Sequence, residues 1–116
     1  MNRREAEKRG RKGEGWAALY LRMCGWRIVA QRVKTPRGEI DLIARRGRTV
    51  AFVEVKWRNN ARDLGQAIDA HRLSRVAAAA ESLAHRHAAR GEDVRIDVLL
   101  LAPWRFPRHI VNAWQP

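Results

Sequence analysis

Three short segments in the first half of the chain alternate apolar and polar residues, and turn-forming residues separate them. The segments are Trp26–Lys34, Glu39–Ala44 and Thr49–Trp57. Alternation with a period of two is typical of β-strands that bury one face. A turn over Thr35–Gly38 joins the first two segments, and the short connection Arg45–Arg48 joins the last two. The pattern predicts a meander of three antiparallel strands, to which the rest of the chain must pack.

Helical periodicity lies on both sides of this meander. Small and apolar residues recur at three- to four-residue spacing over Arg4–Met23, which predicts a first helix. A second helix, predicted over Gln66–Arg90, carries one apolar stripe. The near-continuous apolar segment Val94–Ala102 is typical of a central strand, and its return after a helix favours parallel pairing with an earlier strand. A short last strand is predicted within His109–Trp114.

These elements account for one domain. A chain of 116 residues has room for one core, and no repeat or linker marks a boundary. We therefore predict a single α/β domain over residues 1–116, in the order α-β-β-β-α-β, with a mixed sheet flanked by helices. Glycines weaken the first half of the first helix, so residues 1–12 are where we expect poor order.

The chain is strongly basic, with 24 Lys and Arg against 12 Asp and Glu and a net charge of +12. Such a field attracts polyanions, of which nucleic acid is the commonest partner for a small domain. Arginine supplies 20 of these basic residues and suits bidentate phosphate contacts. The alternative is that the charge serves solubility alone.

The sequence also indicates a compartment. Its apolar runs are far shorter than the roughly 20 residues that cross a bilayer, so no membrane span is predicted. The acidic residues near the start argue against a secretory or transit signal. Cys24 is a lone cysteine, which permits no intrachain disulfide. A cytoplasmic location is therefore expected.

Charged residues of neighbouring strands are candidates for a functional site. Glu54 and Lys56 lie two residues apart in the third strand and so share one face. In the second strand, Asp41 points away from Ile40 and Leu42 by the same alternation. If the apolar residues of both strands face one core, the three charged side chains converge.

Glu14 extends this set. It lies one turn before the apolar stripe of the first helix, which must pack on the sheet, and burying a carboxylate without a partner is costly. A hard divalent cation such as Mg²⁺ is a suitable partner for carboxylate oxygens. Two or three acids with one lysine on a basic domain suit metal-dependent phosphodiester hydrolysis. Lys56 would then orient the attacking water and stabilise the developing charge.

Each of these residues also has an ordinary interpretation. Glu54 and Lys56 could form a surface ion pair worth under about 1 kcal/mol, and Glu14 suits the start of a helix through the macrodipole. Their joint occurrence favours the site over these separate explanations. Asp97, beside an apolar run, is interpreted as a paired structural acid, and the five tryptophans are interpreted as core residues first.

Several blocks of the sequence resemble the YraN-like uncharacterised bacterial proteins. That family is similar to archaeal Holliday-junction resolvases and belongs to the PD-(D/E)xK restriction-endonuclease-like superfamily. The resemblance runs nearly from end to end of the chain. The blocks that carry it are Gly10–Glu14, Gly38–Ile43, Phe52–Lys56 with Arg58, Arg95–Val98 and His109–Ala113.

The resemblance implies a restriction-endonuclease-like fold and a set of site residues. It implies Asp41 and Glu54 as metal ligands, with the backbone carbonyl of Val55 as a third. It implies Lys56 as the catalytic lysine and Glu14 as the acid of the first helix, close to the same metal. The cofactor would be Mg²⁺ or Mn²⁺.

The chain departs from the family pattern at two positions of the second helix. Arg72 stands where family members usually carry a lysine, and Gln66 replaces an acidic residue. The roles of these two positions are therefore not transferred.

Basic residues flank the two turns and follow the third strand. They are candidate phosphate contacts, with solvated turns as the alternative. These residues are Arg32, Lys34, Arg37, Arg45, Arg46 and Arg58.

The leading hypothesis from the sequence is a metal-dependent nuclease that acts on DNA, including branched or single-stranded DNA. The second is a catalytically silent nucleic-acid-binding module of the same fold. A third is an adaptor that docks a protein through Trp104 and Trp114. A homodimer would suit symmetric DNA junctions, although no interface is evident in the sequence.

Overall fold

One five-stranded sheet carries a helix on each of its faces. The structure is a computed structural model that describes residues 3–58 and 69–114, with side chains from residue 13 onward. The predicted order α-β-β-β-α-β is confirmed, and a short strand follows it. The elements are α1 (Arg3–Met23), β1 (Arg27–Thr35), β2 (Gly38–Arg46), β3 (Thr49–Trp57), α2 (Ala70–His87), β4 (Asp93–Leu101) and β5 (Arg108–Ile110).

The strand bounds lie close to the prediction, but α2 begins later than its periodicity suggested. Asp69 is extended backbone (φ −116°, ψ 115°), and its carboxylate accepts hydrogen bonds from the N–H groups of His71 and Arg72. It is therefore the N-cap of a helix that starts at Ala70. The predicted start at Gln66 lies outside the described residues. Within those residues, neither helix is long and apolar enough to cross a membrane.

The strands lie in the order β1-β2-β3-β4-β5 across the sheet. Pairing is antiparallel except between β3 and β4, which run parallel from Thr49↔Asp93 to Trp57↔Leu101. The parallel pair requires a crossover, which α2 provides from one face of the sheet. This confirms the predicted parallel pairing of the apolar strand.

Both outer strands are short or irregular. β1 carries a bulge between Ile28 and Ala30, where its register with β2 shifts by one residue. Further along β1, Arg32 adopts a positive φ of 53°. At the other edge, β5 has only 3 residues.

The core is divided by the sheet into two layers. Beneath α2, the fully buried side chains of Phe52, Val98 and Leu100 form the first layer. Beneath α1, those of Leu21 and Leu99 belong to the second. Each such side chain contributes roughly 1.5–3 kcal/mol when it leaves water. The two helices are thus fixed to opposite faces, and both approach the end of the sheet where β3 finishes.

The prediction that Ile40 and Leu42 share one face is wrong. Ile40 packs in the layer beneath α2, whereas Leu42 packs beneath α1 with Val53. Regular alternation would place residues two apart on the same face, so the strand is irregular at Asp41. The pairing of β2 with β3 ends there, at Leu42↔Val53.

Asp97 is a paired structural acid, as predicted. Its side chain is fully buried on the α1 side, and its oxygens accept hydrogen bonds from Arg95 (2.8 Å), His109 (2.7 Å) and the N–H of Asn112 (2.9 Å). Burial tends to raise the pKa of this carboxyl, but these hydrogen bonds hold it below its ordinary value. Asp97 thereby ties the C-terminal segment to β4.

We expect Asp97→Asn to lower the free energy of unfolding by about 2 kcal/mol at pH 7, because it leaves charged donors without a carboxylate. A depressed pKa means that this stabilisation is present above about pH 4 and is lost as the pH falls further. Urea unfolding at several pH values measures both effects. The exposed Asp93→Asn is the control, and an equal loss in both variants would contradict the assignment.

Candidate functional site

Where β2 separates from β3, the carboxylate of Asp41 accepts a hydrogen bond that a backbone carbonyl of β2 would accept in a regular sheet. Beyond the Leu42↔Val53 pair, the N–H of Val55 donates to Asp41 Oδ2 at 2.8 Å. The side chain of Asp41 therefore occupies the gap that opens between the two strands. This contact explains the irregularity of β2, since Asp41 must leave regular alternation to reach the neighbouring strand.

Glu54 lies next to this gap and is almost fully buried on the α2 side of β3. Its Oε1 atom forms an ion pair with Lys56 Nζ at 3.2 Å and a second ion pair with the Nε of Arg72 from α2. Its Oε2 atom is buried and has no hydrogen-bond partner among the described residues. An unpaired carboxylate oxygen in such a position is costly unless a further electropositive group approaches it.

The two carboxylates act on each other electrostatically. The pKa of Asp41 is raised to about 6, mainly by burial and also by the negative charges of Glu54 and Glu14, although the Val55 hydrogen bond and the charge of Arg72 lower it. A carboxyl with a raised pKa beside a second acid lacks sufficient positive charge nearby. Such perturbed acids in a cleft are typical of functional sites.

Glu14 approaches the same end of the sheet from α1. Its side chain is 13% exposed and forms an ion pair with Arg32 of β1. Arg32 lies between the pairs Gln31↔Leu42 and Val33↔Ile40, beside Asp41. The structure thus brings Glu54 and Lys56 into direct contact and places Asp41 within electrostatic reach of Glu54 and Glu14.

A cleft of about 390 Å³ opens over Asp41 and Glu54. The N-terminal part of α2 forms its far wall, and the start of β2 forms its near wall. Gly38 permits this approach, because a Cβ atom there would lie 3.1 Å from the carbonyl oxygen of Arg75. We call this the site cleft. Its charged and polar lining residues are Glu39, Asp41, Glu54, Asp69, His71, Arg72 and Arg75.

Four of these residues were not predicted as part of the site, namely Asp69, His71, Arg72 and Arg75. Asp69 was assigned to the interior of a helix, although an aspartate before an apolar helical pattern is a typical N-cap signal. Arg72 was set aside because it departs from the family pattern, yet it contacts Glu54. Asp69 was missed because the start of α2 was placed too early.

The chemistry of the site suits a hard divalent cation, although the protein does not supply a complete cage. Among the described side chains, no three His, Cys, Asp or Glu residues lie together as a metal site. Mg²⁺ does not need such a cage, because it commonly binds through one or two carboxylates and keeps several waters. Asp41 and Glu54, whose Oε2 has no hydrogen-bond partner among the described residues, provide two such carboxylates.

The six predicted phosphate contacts fall into two groups. Arg32, Lys34, Arg37 and Arg58 lie at the end of the sheet that holds the site cleft. Arg45 and Arg46 lie at the opposite end and have partners of their own. Arg45 is paired with the buried Glu92, and the guanidinium of Arg46 lies 4.4 Å from the ring centre of Trp26.

Comparison with known proteins gives one consistent result. The family described as "Uncharacterised protein family UPF0102" matches residues 13–101. A UPF0102 protein of Erythrobacter litoralis is 68% identical over 116 residues, which is all of both chains. A UPF0102 protein of Sphingopyxis alaskensis is 64% identical, again over the full length of both. One from Parvibaculum lavamentivorans is 44% identical over 96% of this chain and 84% of its own.

Proposed function

The chain belongs to the uncharacterised protein family UPF0102, and on this basis and that of its site we propose that it is a divalent-metal-dependent nuclease acting on DNA. Membership confirms the resemblance to the YraN-like proteins, but the family description states no activity. The observation that carries the proposal is the neighbouring pair formed by the half-buried Asp41 and the buried Glu54, whose Oε2 lacks a partner among the described residues. The relation to restriction endonucleases is part of this proposal.

The carboxylates of Asp41 and Glu54 would hold the cation, with the backbone carbonyl of Val55 as a third donor. When bound, such an ion neutralises phosphate charge and acidifies a coordinated water. Asp41 is held in place by the N–H of Val55, so its second oxygen is fixed relative to β3. Because two ionised carboxylates repel each other, a bound cation would stabilise the pair more than it would stabilise either carboxylate alone.

Lys56 is placed to serve the reaction from the same face of β3. Its ammonium lies 3.2 Å from Glu54 Oε1 and is largely buried, so its position is well defined. We propose that it orients the attacking water and stabilises the charge that develops on the phosphate. Glu14, paired with Arg32, would position water or the cation from the α1 side.

The DNA part of the proposal rests on charge. A net charge of +12 favours association with a phosphate backbone. Lys34 and Arg37 project at the β1–β2 turn beside the site cleft, and both are exposed. Basic side chains around an acidic cleft would attract the DNA phosphate backbone to the cleft, and the carboxylates would remain available to bind the metal.

Titration of MnCl₂ into the protein tests the metal site by calorimetry. We expect binding heat in the wild-type protein. In Asp41→Asn the affinity for Mn²⁺ should be at least about tenfold weaker, so that the heat is lost, because one charged ligand is removed. Asparagine can still accept the hydrogen bond of Val55, so the fold is preserved. Glu39→Gln, in the same cleft, is the matched control and should leave the heat unchanged.

A silent nucleic-acid-binding module is the second candidate, and the position of Arg72 favours it. The guanidinium of Arg72 already neutralises Glu54, as a metal ion would otherwise do. For such a module, Mn²⁺ heat is absent from the wild-type protein and appears only in Arg72→Gln. Asp41→Ala would then leave DNA affinity intact or raise it, because one negative charge is removed from a basic surface.

A further inference from the structure

The side of the molecule next to the site cleft presents an unusually exposed aromatic surface. Trp104 is fully exposed, Trp16 is 53% exposed and Phe106 is 93% exposed. The interpretation of tryptophans as core residues holds for Trp26, which is 3% exposed, but it is wrong for Trp16 and Trp104. Large apolar groups that stay in water at adjacent positions are typical of a binding surface.

Trp16 and Trp104 line one groove between α1 and the segment that follows β4. The groove has a volume of about 630 Å³, which lies within the range usual for ligand sites. We call it the aromatic groove. Its principal lining residues are Trp16, Tyr20, Trp57, Leu101, Trp104 and Pro107.

The charge of the groove indicates the kind of ligand that it suits. Among the described residues that line it, the single charged one is Arg105, and none is acidic. Planar indole rings beside the basic Arg105 suit a ligand that combines flat apolar faces with negative charge. Unpaired nucleobases on a phosphate backbone have both properties, and stacking on aromatic side chains is how proteins bind them without sequence preference.

The aromatic groove and the site cleft lie on opposite faces of the sheet, at the same end, where β3 finishes. In α1, Glu14 belongs to the site and Trp16 lines the groove two residues later. In β3, Lys56 contacts Glu54 and the next residue, Trp57, lines the groove. A strand bound at the carboxylates would reach the indole rings by passing around this end of the sheet.

We propose that the aromatic groove stacks the unpaired bases of the DNA strand on which the site acts. The inference rests on the proposed function only in taking DNA as the substrate, and it narrows that substrate to DNA with unpaired bases. Trp104 is the principal stacking residue because it is the most exposed. Duplex DNA, whose bases are already stacked, would not use the groove.

Binding in the presence of EDTA separates stacking from phosphate contact and prevents cleavage. The probes are a labelled oligothymidylate of about 12 nucleotides, within the usual range of single-strand sites, and an abasic strand of equal length. We expect the full-length protein to bind the thymidine strand about tenfold more tightly than the abasic one. Fluorescence anisotropy at about 0.15 M salt measures both affinities.

Variants of Trp104 distinguish stacking from general apolar contact. Trp104→Leu should bind the thymidine strand about tenfold more weakly and the abasic strand unchanged, whereas Trp104→Phe should retain most of the affinity because its ring still stacks. The side chain is fully exposed, so neither change threatens the fold. The control is Val94→Ala, an exposed apolar residue at the start of β4, which should change neither affinity.

Three results would overturn the inference. The first is equal wild-type affinity for thymidine and abasic strands. The second is an equal loss on both strands in Trp104→Leu. The third is a loss in Trp104→Leu of self-association, or of binding to anionic phospholipid vesicles, without a loss of thymidine binding. If the protein prefers the thymidine strand but shows no metal-dependent cleavage, the proposed nuclease activity is refuted and the assignment of the groove stands. If it cleaves DNA but binds both strands equally, the assignment of the groove is refuted and the proposed activity stands.

Discussion

Replacing Glu54 by glutamine is expected to lower metal-dependent cleavage of DNA about 1000-fold, equivalent to ~4 kcal/mol of transition-state stabilisation. The substitution keeps the size of the side chain and an oxygen acceptor for Lys56 and Arg72. It removes the negative charge and the second carboxylate oxygen that the proposed ion requires. Cleavage of linear, single-stranded and four-way junction DNA with Mg²⁺ or Mn²⁺ measures the effect.

Glu39→Gln serves as the matched control for this experiment. Glu39 lines the same cleft but is exposed and has no assigned role at the metal, so its activity should stay within about threefold of wild type. DNA affinity in EDTA should be similar for both variants. Equal cleavage by the wild-type protein and Glu54→Gln would remove Glu54 from the reaction and refute the proposed function.

The second large effect concerns stability, and it has an unusual sign. In the metal-free protein we expect Asp41→Asn to raise the free energy of unfolding at pH 8 by about 3 kcal/mol. The pKa of Asp41 is raised from 3.8 to about 6 because the carboxyl is buried close to other acids. Ionising it above pH 6 therefore opposes folding, whereas a neutral amide avoids this cost and still accepts the Val55 hydrogen bond.

The difference in stability between the wild-type protein and Asp41→Asn should depend on pH. The folded state binds the Asp41 proton more tightly than the unfolded state, so the wild-type protein loses stability as the pH rises from about 4 to about 6. The two proteins should therefore be equally stable near pH 4 and diverge above it. Urea unfolding in EDTA at three pH values measures the difference. A variant that is less stable than wild type at pH 8 would contradict the account.

Local patterns were sufficient to predict most of the fold. The bounds of β3 follow directly from its alternation, and the turn after β1 follows from residues whose chemistry closes a turn. Thr35 Oγ1 accepts hydrogen bonds from the N–H groups of Arg37 and Gly38, at 3.1 Å each. These interactions join residues that are close in sequence, so a local sequence pattern is enough to predict them. The parallel placement of β4 follows from its apolar composition and from the helix before it.

The features that the sequence did not predict depend on distant contacts. Asp41 leaves regular alternation because of a hydrogen bond to Val55, 14 residues away, which no periodicity records. Arg72 reaches Glu54 across a segment of 18 residues. The exposure of Trp104 likewise reflects the path of the chain after β4 rather than its own chemistry. Site residues were predicted from residue types and family likeness, whereas their geometry required the folded sheet.

The two irregular edges of the sheet restrict how copies of this protein could associate. Joining sheets side by side needs a flat outer strand with a free run of backbone groups. The bulge in β1 twists one such strand out of line, and β5 is too short to offer more than a few groups. Continuous β-ribbons between molecules are thereby discouraged, which protects a polypeptide rich in strands from aggregation. We therefore expect any symmetric pair to meet through a helix or a loop rather than through a sheet edge.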